Sequence, residues 1–157
     1  MRRGYRVVLA IAVLLTAFPM TACGADQVTG RIGETLVAGD YELTVQTMEN
    51  PAAPPDRFTN PKPGNRFVKF DFAMANRGNQ HLPVAPGYFV MKDTGGIDNA
   101  AREGISSDGV LRPTSLAPGQ RLQSSLYFEM AANQSPAELV FAPGVVGWRT
   151  KITVVLR

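Results

Sequence analysis

The stretch Arg66-Phe67-Val68-Lys69-Phe70-Asp71-Phe72-Ala73-Met74-Ala75 decides the fold class of this chain. Val68, Phe70, Phe72 and Met74 fall at every second position, with Lys69 and Asp71 between them. In an extended chain successive side chains point to opposite faces, so the four apolar residues share one face and the two charges lie on the other. The stretch therefore reads as a strand with one face in a core. It stops at Asn76-Arg77-Gly78-Asn79, a turn run rich in residues that tolerate positive φ.

The same period extends outward in both directions. Tyr41, Leu43, Val45 and Thr47 alternate with Glu42, Thr44 and Gln46 behind a Gly39-Asp40 turn, and a shorter strand over residues 34–37 is expected to pair with them. Downstream, residues 88–92 (YFVMK) form a strand of aromatic and β-branched character that ends at Asp93-Thr94-Gly95-Gly96. Pro118-Gly119 suits the central positions of a type II turn. That turn leads into residues 121–130, with Leu122, Leu126 and Phe128 inward and Arg121, Gln123, Ser125 and Glu129 outward. Residues 139–141 and 152–156 supply the last two strands. No segment sustains a 3.6-residue period, so a parallel α/β fold lacks its helices. About seven short strands separated by Gly, Pro and Asn turns predict an all-β antiparallel sandwich or small barrel over residues 32–157. Two stretches read as long loops. Residues 50–64 (NPAAPPDRFTNPKPG) carry five prolines and are excluded from a central strand. Residues 95–118 are polar, with room for a short strand through Ile105, Val110 and Leu111.

The N-terminus has a different character. The chain has 157 residues with 16 Lys and Arg against 13 Asp and Glu, a formal net charge of +3. Three of those cations, Arg2, Arg3 and Arg6, precede the run VVLAIAVLLTAF at residues 7–18, in which Thr16 alone is polar. Twelve residues fall short of the ~20 that span a bilayer, so this is a basic region and apolar core of an export signal. Met20-Thr21-Ala22-Cys23-Gly24 resembles the lipobox of bacterial lipoproteins, with Met20 where Leu is usual. Cleavage before Cys23 and its lipidation are expected, making residues 1–22 a lipoprotein signal peptide. Residues 23–31 are then expected to be a flexible tether, and the protein to be exported and held by its lipid on the outward face of a cell membrane or envelope. Removing residues 1–22 takes three basic groups and no acids, leaving 13 against 13. A net charge of zero gives no electrostatic support to nucleic-acid binding.

Three blocks carry a family resemblance: Ile32-Gly33-Glu34-Thr35 through Gly39-Asp40-Tyr41-Glu42-Leu43-Thr44-Val45; Gly64-Asn65-Arg66-Phe67-Val68 through Ala75-Asn76-Arg77-Gly78-Asn79; and Leu116-Ala117-Pro118-Gly119-Gln120 through Tyr127-Phe128-Glu129. The chain resembles exported bacterial immunoglobulin-like domains of unknown function, often lipoproteins, related to the mycobacterial immunoprotective extracellular antigen. The resemblance implies an immunoglobulin-like sandwich and brings no catalytic residues with it. It departs from the common pattern in the proline-heavy insertion and the Phe-rich strand.

The residues offer little for chemistry. His81 is the only histidine and Cys23 the only cysteine, which excludes an internal disulfide and a Cys/His zinc cluster. There is no G-x-S-x-G elbow, and Gly95-Gly96 lacks the Lys and helix of a phosphate loop. Met74, Met91 and Met130 fall on apolar strand patterns, where Met fills cores rather than binding copper. Asp93, Asp98, Asn99 and Glu103 supply hard oxygens near a glycine turn, but at spacings that fail the EF-hand template. Trp148 is expected to pack beside the last strand. The residues thus predict no enzyme, no metal and no cofactor. The expected role is a lipid-anchored binding module that meets a protein or envelope component, with Arg57, Phe58 and Lys62 of the proline-rich loop as candidate contacts. The alternative is a carrier holding a small apolar ligand within or between its sheets.

Overall fold

The computed structural model describes residues 27–144 and 150–156. Cys23 and Trp148, and with them the expected lipid site and the expected packing of the indole, lie outside the described residues. The strands are β1 (Gln27–Arg31), β2 (Thr35–Ala38), β3 (Tyr41–Ala52), β4 (Asn65–Asn76), β5 (Leu82–Val84), β6 (Phe89–Asp93), β7 (Asp98–Ala100), β8 (Thr114–Leu116), β9 (Arg121–Ala131), β10 (Pro136–Phe141) and β11 (Lys151–Val155). One sheet has the order β1-β11-β10-β6-β7 and the other β2-β3-β4-β9, while β5 and β8 form a small ribbon. β4 and β9 pair in one sheet and β6 and β10 in the other, so the chain crosses between sheets from β4 to β6 and again from β9 to β10. This crossing makes the molecule an antiparallel sandwich with an immunoglobulin-type Greek key.

The seven expected strands are β2, β3, β4, β6, β9, β10 and β11. Four more short ones were not expected, and the bounds of the tether and of the second loop need correction. The tether expected over residues 23–31 does not include residues 27–31, because Gln27–Arg31 form β1, paired in parallel with β11 in the register Gln27↔Lys151 to Arg31↔Val155. Only Val28 of this polar strand packs against the core, so its hydrophobic signal is one residue long. The second loop is also more ordered than its polarity implied. It holds β7 and β8, Val110 makes a parallel bridge to Ser125, and Ile105 and Leu111 are buried. Residues 101–111 thereby run along the open side of β9, where Leu111 N–H bonds the carbonyl of Ser125 at 2.9 Å and Arg102 N–H that of Tyr127 at 2.7 Å. Covering this edge satisfies β9's outward backbone groups.

The core lies between the sheets. Val68, Phe70, Phe72 and Met74 are each at most 1% exposed. Phe72 meets Phe89 at 5.3 Å, Phe89 meets Phe141 at 4.8 Å, and Phe141 meets the Tyr41 ring edge-on at 5.0 Å, a chain of rings crossing from sheet to sheet and back. The buried Tyr41 hydroxyl donates to the carbonyl of Pro83 at 2.9 Å, and burial raises its pKa. Met74, Met91 and Met130 are core residues.

Two turns show what their glycines are for. Gly119 has φ +75° and Gln120 N–H reaches the carbonyl of Ala117 at 3.0 Å, the expected type II turn. After β4 no residue from 76 to 79 takes a positive φ. The buried Asn76 side chain holds that turn instead, donating to the carbonyls of Gln80 and Leu116 and accepting from Gly78 N–H. Gly78 is small because a Cβ there would lie 2.3 Å from the Asp40 carboxylate.

Candidate functional site

The register places the two candidate ends of the molecule opposite each other. Gln27 pairs with Lys151 at the start of β11, beside the Gly39-Asp40 turn, whose Arg77 N–H to Asp40 carbonyl bond draws in the turn after β4. At the other end, Arg66 donates through its guanidinium to the carbonyls of Ala132 and Gln134, and Thr94 Oγ1 to Gln134 Oε1. The loop between β3 and β4, the β6–β7 hairpin and the β9–β10 turn therefore gather at the end away from Gln27.

The proline-rich loop is braced rather than free. β3, an interior strand of its sheet, runs into it as far as Ala52, paired with Phe67, so residues 50–52 belong to a central strand against the expectation from their composition. Phe67 faces away from the main core yet is 1% exposed, its ring edge-on to Tyr127 at 6.4 Å. On the return leg Lys62 N–H donates to Glu129 Oε1 at 2.8 Å, and Asn65 Nδ2 donates to the same oxygen at 2.9 Å. Arg102 faces the other Glu129 oxygen at 3.5 Å. Burial acts to raise the Glu129 carboxyl, but the bonds from Asn65 and Lys62 and the charges of Arg102 and Lys62 together hold it below its ordinary value. Ser107 Oγ adds a bond to the carbonyl of Pro55.

At the tip the chain turns on Asp56, whose Oδ1 accepts Phe58 N–H at 2.8 Å. The Thr59 side chain and the Phe58 amide keep this carboxyl below its ordinary value. The turn lifts Phe58 into solvent, 79% exposed, with the Arg57 guanidinium carbon 4.6 Å over its ring. Such stacking prearranges a flat, cationic and apolar tip at low ordering cost. Arg57 and Phe58 are thus brought together. Lys62 stands apart on the braced leg, its side chain exposed and its backbone used by Glu129. Ile97, 60% exposed on the β6–β7 hairpin, adds a second apolar group at this end. The sequence reading missed Ile97 and the braces Asn65, Arg102, Ser107 and Glu129; bracing depends on partners distant in the chain, as with Lys62 and Glu129 or Pro55 and Ser107.

The other sequence candidates are separate from this end or engaged locally. Asp93 accepts N–H bonds from Gly95 and Ile97 and one from Asn99, which lower its pKa, while Asp98 pairs with Lys92 at 2.8 Å. Their carboxylates are turned to different partners, and among the described residues no group of three or more His, Cys, Asp or Glu converges as a metal site. His81 is exposed on the turn before β5, and no hydrogen bond or ion pair engages it among the described residues. No helix among the described residues is long and apolar enough to cross a membrane.

The fold and its braced loop define an immunoglobulin-like β-sandwich domain. Solved structures share this architecture. The yjhA protein of Bacillus subtilis matches with a TM-score of 0.62 at 18% identity, covering 82% of this chain and 99% of that one. The secreted protein MPT63 of Mycobacterium tuberculosis matches at 0.63 and 13%, covering 82% and 97%. The candidate lipoprotein ycdA of Bacillus subtilis matches at 0.63 and 14% over 79% of this chain, which spans 38% of that longer protein. The chain belongs to the DUF4352 family, a domain of unknown function whose model matches residues 30–152. This bears out the resemblance carried by the three sequence blocks. No curated protein matches the sequence.

Proposed function

We propose that the protein is a lipid-anchored, non-catalytic module of the bacterial envelope that meets a protein partner through the Arg57-Phe58 tip of its proline-rich loop. The supporting observation is the opposition of the two ends. β1 begins four residues after Cys23 and starts at the end away from the loop. Four residues reach at most about 14 Å, so a lipid on Cys23 keeps the Gln27 end against the membrane and turns the loop end outward. The secreted and candidate lipoprotein neighbours support export. The ring-filled space between the sheets favours a binding module over a carrier of an apolar ligand.

The test places a photo-crosslinking residue at position 58 or at position 79 of the full chain in native membranes. Adducts are expected from position 58 and not from position 79. His81→Ala is expected to leave them intact and Arg57→Asp to remove them. The reading fails if His81→Ala abolishes function in a folded protein while deletion of residues 53–63 is silent, since loss of an acid/base histidine costs about 10²–10⁴ in rate.

A further inference from the structure

The outer face of the β2-β3-β4-β9 sheet carries a hollow that does not include the Arg57-Phe58 tip. Ala73 stands at its centre on β4, paired with Thr44 on one side and Gln123 on the other. A methyl group between longer side chains leaves a hollow. Gln46 is on this face by alternation, and the irregularity in the β3 register between Val45 and Thr47 turns Thr47, expected inward with Val45, onto it as well. Residues 107–112, held along β9, build a further wall.

Three adjoining depressions result. One of about 390 Å³ is lined by Gln46, Thr47, Asp71, Gln123 and Ser125. A second of about 340 Å³ shares Gly109, Gln123 and Ser124 with it and continues to Asp108, Arg112 and Thr114. A narrower one of about 150 Å³ runs from Gln123 over Ala73 to Thr44 and Glu42. All three meet at Gln123, forming one trough across β3, β4 and β9.

The lining is polar, and its carboxylates Asp71 and Glu42 are paired; Asp108 and Arg112 make no ion pair among the described residues, and Arg112 donates to the carbonyl of Ser106 at 3.1 Å. Asp71 accepts from Thr47 Oγ1 at 2.9 Å, from Ser125 Oγ at 2.5 Å and from Lys69 Nζ at 3.1 Å. Glu42 sits between Arg77 and Arg121 at 3.0 and 3.2 Å. A polyanion would need a row of uncompensated cations rather than the single guanidinium of Arg112 facing Asp108 and Asp71 in the same lining, and an apolar ligand would need apolar walls. The groups left over are amides. Gln46 and Gln123 are exposed, and among the described residues no hydrogen bond engages either side chain. Each carboxamide offers two donors and an acceptor, the complement of a hydroxyl group that both donates and accepts.

We propose that this trough binds a neutral oligosaccharide, with Gln46 and Gln123 as its hydrogen-bonding contacts and Ala73 as the floor on which the chain lies. The test titrates the full chain, solubilised in detergent, with cellohexaose, maltohexaose and N-acetylated chitohexaose, with a heparin hexasaccharide as the anionic comparison. Saturable binding of at least one neutral hexasaccharide is expected. Loss of both amides in the Gln46→Ala, Gln123→Ala double variant removes about two hydrogen bonds, roughly a tenfold or greater loss of affinity. Ala73→Leu fills the floor and is expected to abolish binding. The double variant changes only exposed side chains without internal bonds, so its thermal unfolding should match the parent and separates lost contact from lost fold. The proposal is overturned if no neutral hexasaccharide binds saturably, if only the heparin fragment binds, or if binding survives both sets of changes.

Discussion

On its inner face β4 presents Val68, Phe70, Phe72 and Met74, each at most 1% exposed; on its outer face it presents Phe67, Lys69, Asp71, Ala73 and Ala75. One strand thus borders two environments. The inner face is uniform, and any one of its residues can be read from its neighbours two positions away. The outer face changes along its length, from an aromatic covered by the proline-rich loop, through an ion cluster, to a small residue under an open trough. Periodicity reports which side a residue takes, whereas what happens on the polar side is decided by chains that arrive from elsewhere.

The largest effect is expected inside. Phe72→Ala removes a ring packed on Phe89 and should cost about 3–5 kcal/mol in urea denaturation. Phe67→Ala sharpens the contrast: if the loop makes a true second core, this outer-face change should cost about 3 kcal/mol and also speed hydrogen exchange in residues 53–64. A loss below about 1 kcal/mol would mean that the loop merely shades Phe67.

Acid should act on the carboxylates of the β4–β9 outer face and of the β6–β7 hairpin, and spare the apolar inner face of β4. Asp71, Asp93 and Glu129 all have pKa values lowered by folding, Asp71 against a burial effect that is outweighed by Ser125, Lys69 and Thr47. A lowered folded value means that stability is fully present above the unfolded values of 3.8 for Asp and 4.5 for Glu, and is lost as pH falls through the folded ones. The urea midpoint should therefore hold from pH 7 to about 5 and fall below about 4. Asp71→Asn should lose part of this acid dependence and cost about 1 kcal/mol at neutral pH, reduced by its partial exposure. Smallest of all, Lys69→Ala should cost under about 1 kcal/mol, because Asp71 keeps Thr47 and Ser125. Equal losses at Lys69 and Phe72 would break the comparison.

The strands that were legible in the sequence are those with several inward apolar residues, such as β4 and β9. β5, β7 and β8 were not, for each has three residues, too few for a period to show. β1 lacked a signal because its pairing with β11 comes from the far end of the chain. The turn after β4 was placed correctly and explained wrongly: its composition pointed to positive φ, while the structure uses the Asn76 side chain. For the loop, composition identified the prolines and the Arg57-Phe58 pair. Its rigidity came from Glu129 and Ser107, which no local pattern connects to it. The outward place of Gln46 was legible from alternation, but Thr47 was read with the inward set, since the register shift that turns it outward belongs to the pairing with β4.

The parallel pairing of β1 with β11 has a mechanical side. Suppose the chain is held at Cys23 by lipid and drawn outward at Phe58 by a partner. The load then enters β1 along its own axis at the Gln27 end, while the rest of the sandwich is pulled the opposite way. The β1–β11 hydrogen bonds, lying across that axis, bear the force together in shear instead of opening one after another. A five-residue edge strand, marginal by its burial, thereby becomes a clamp that resists tension in the direction in which an envelope protein is pulled.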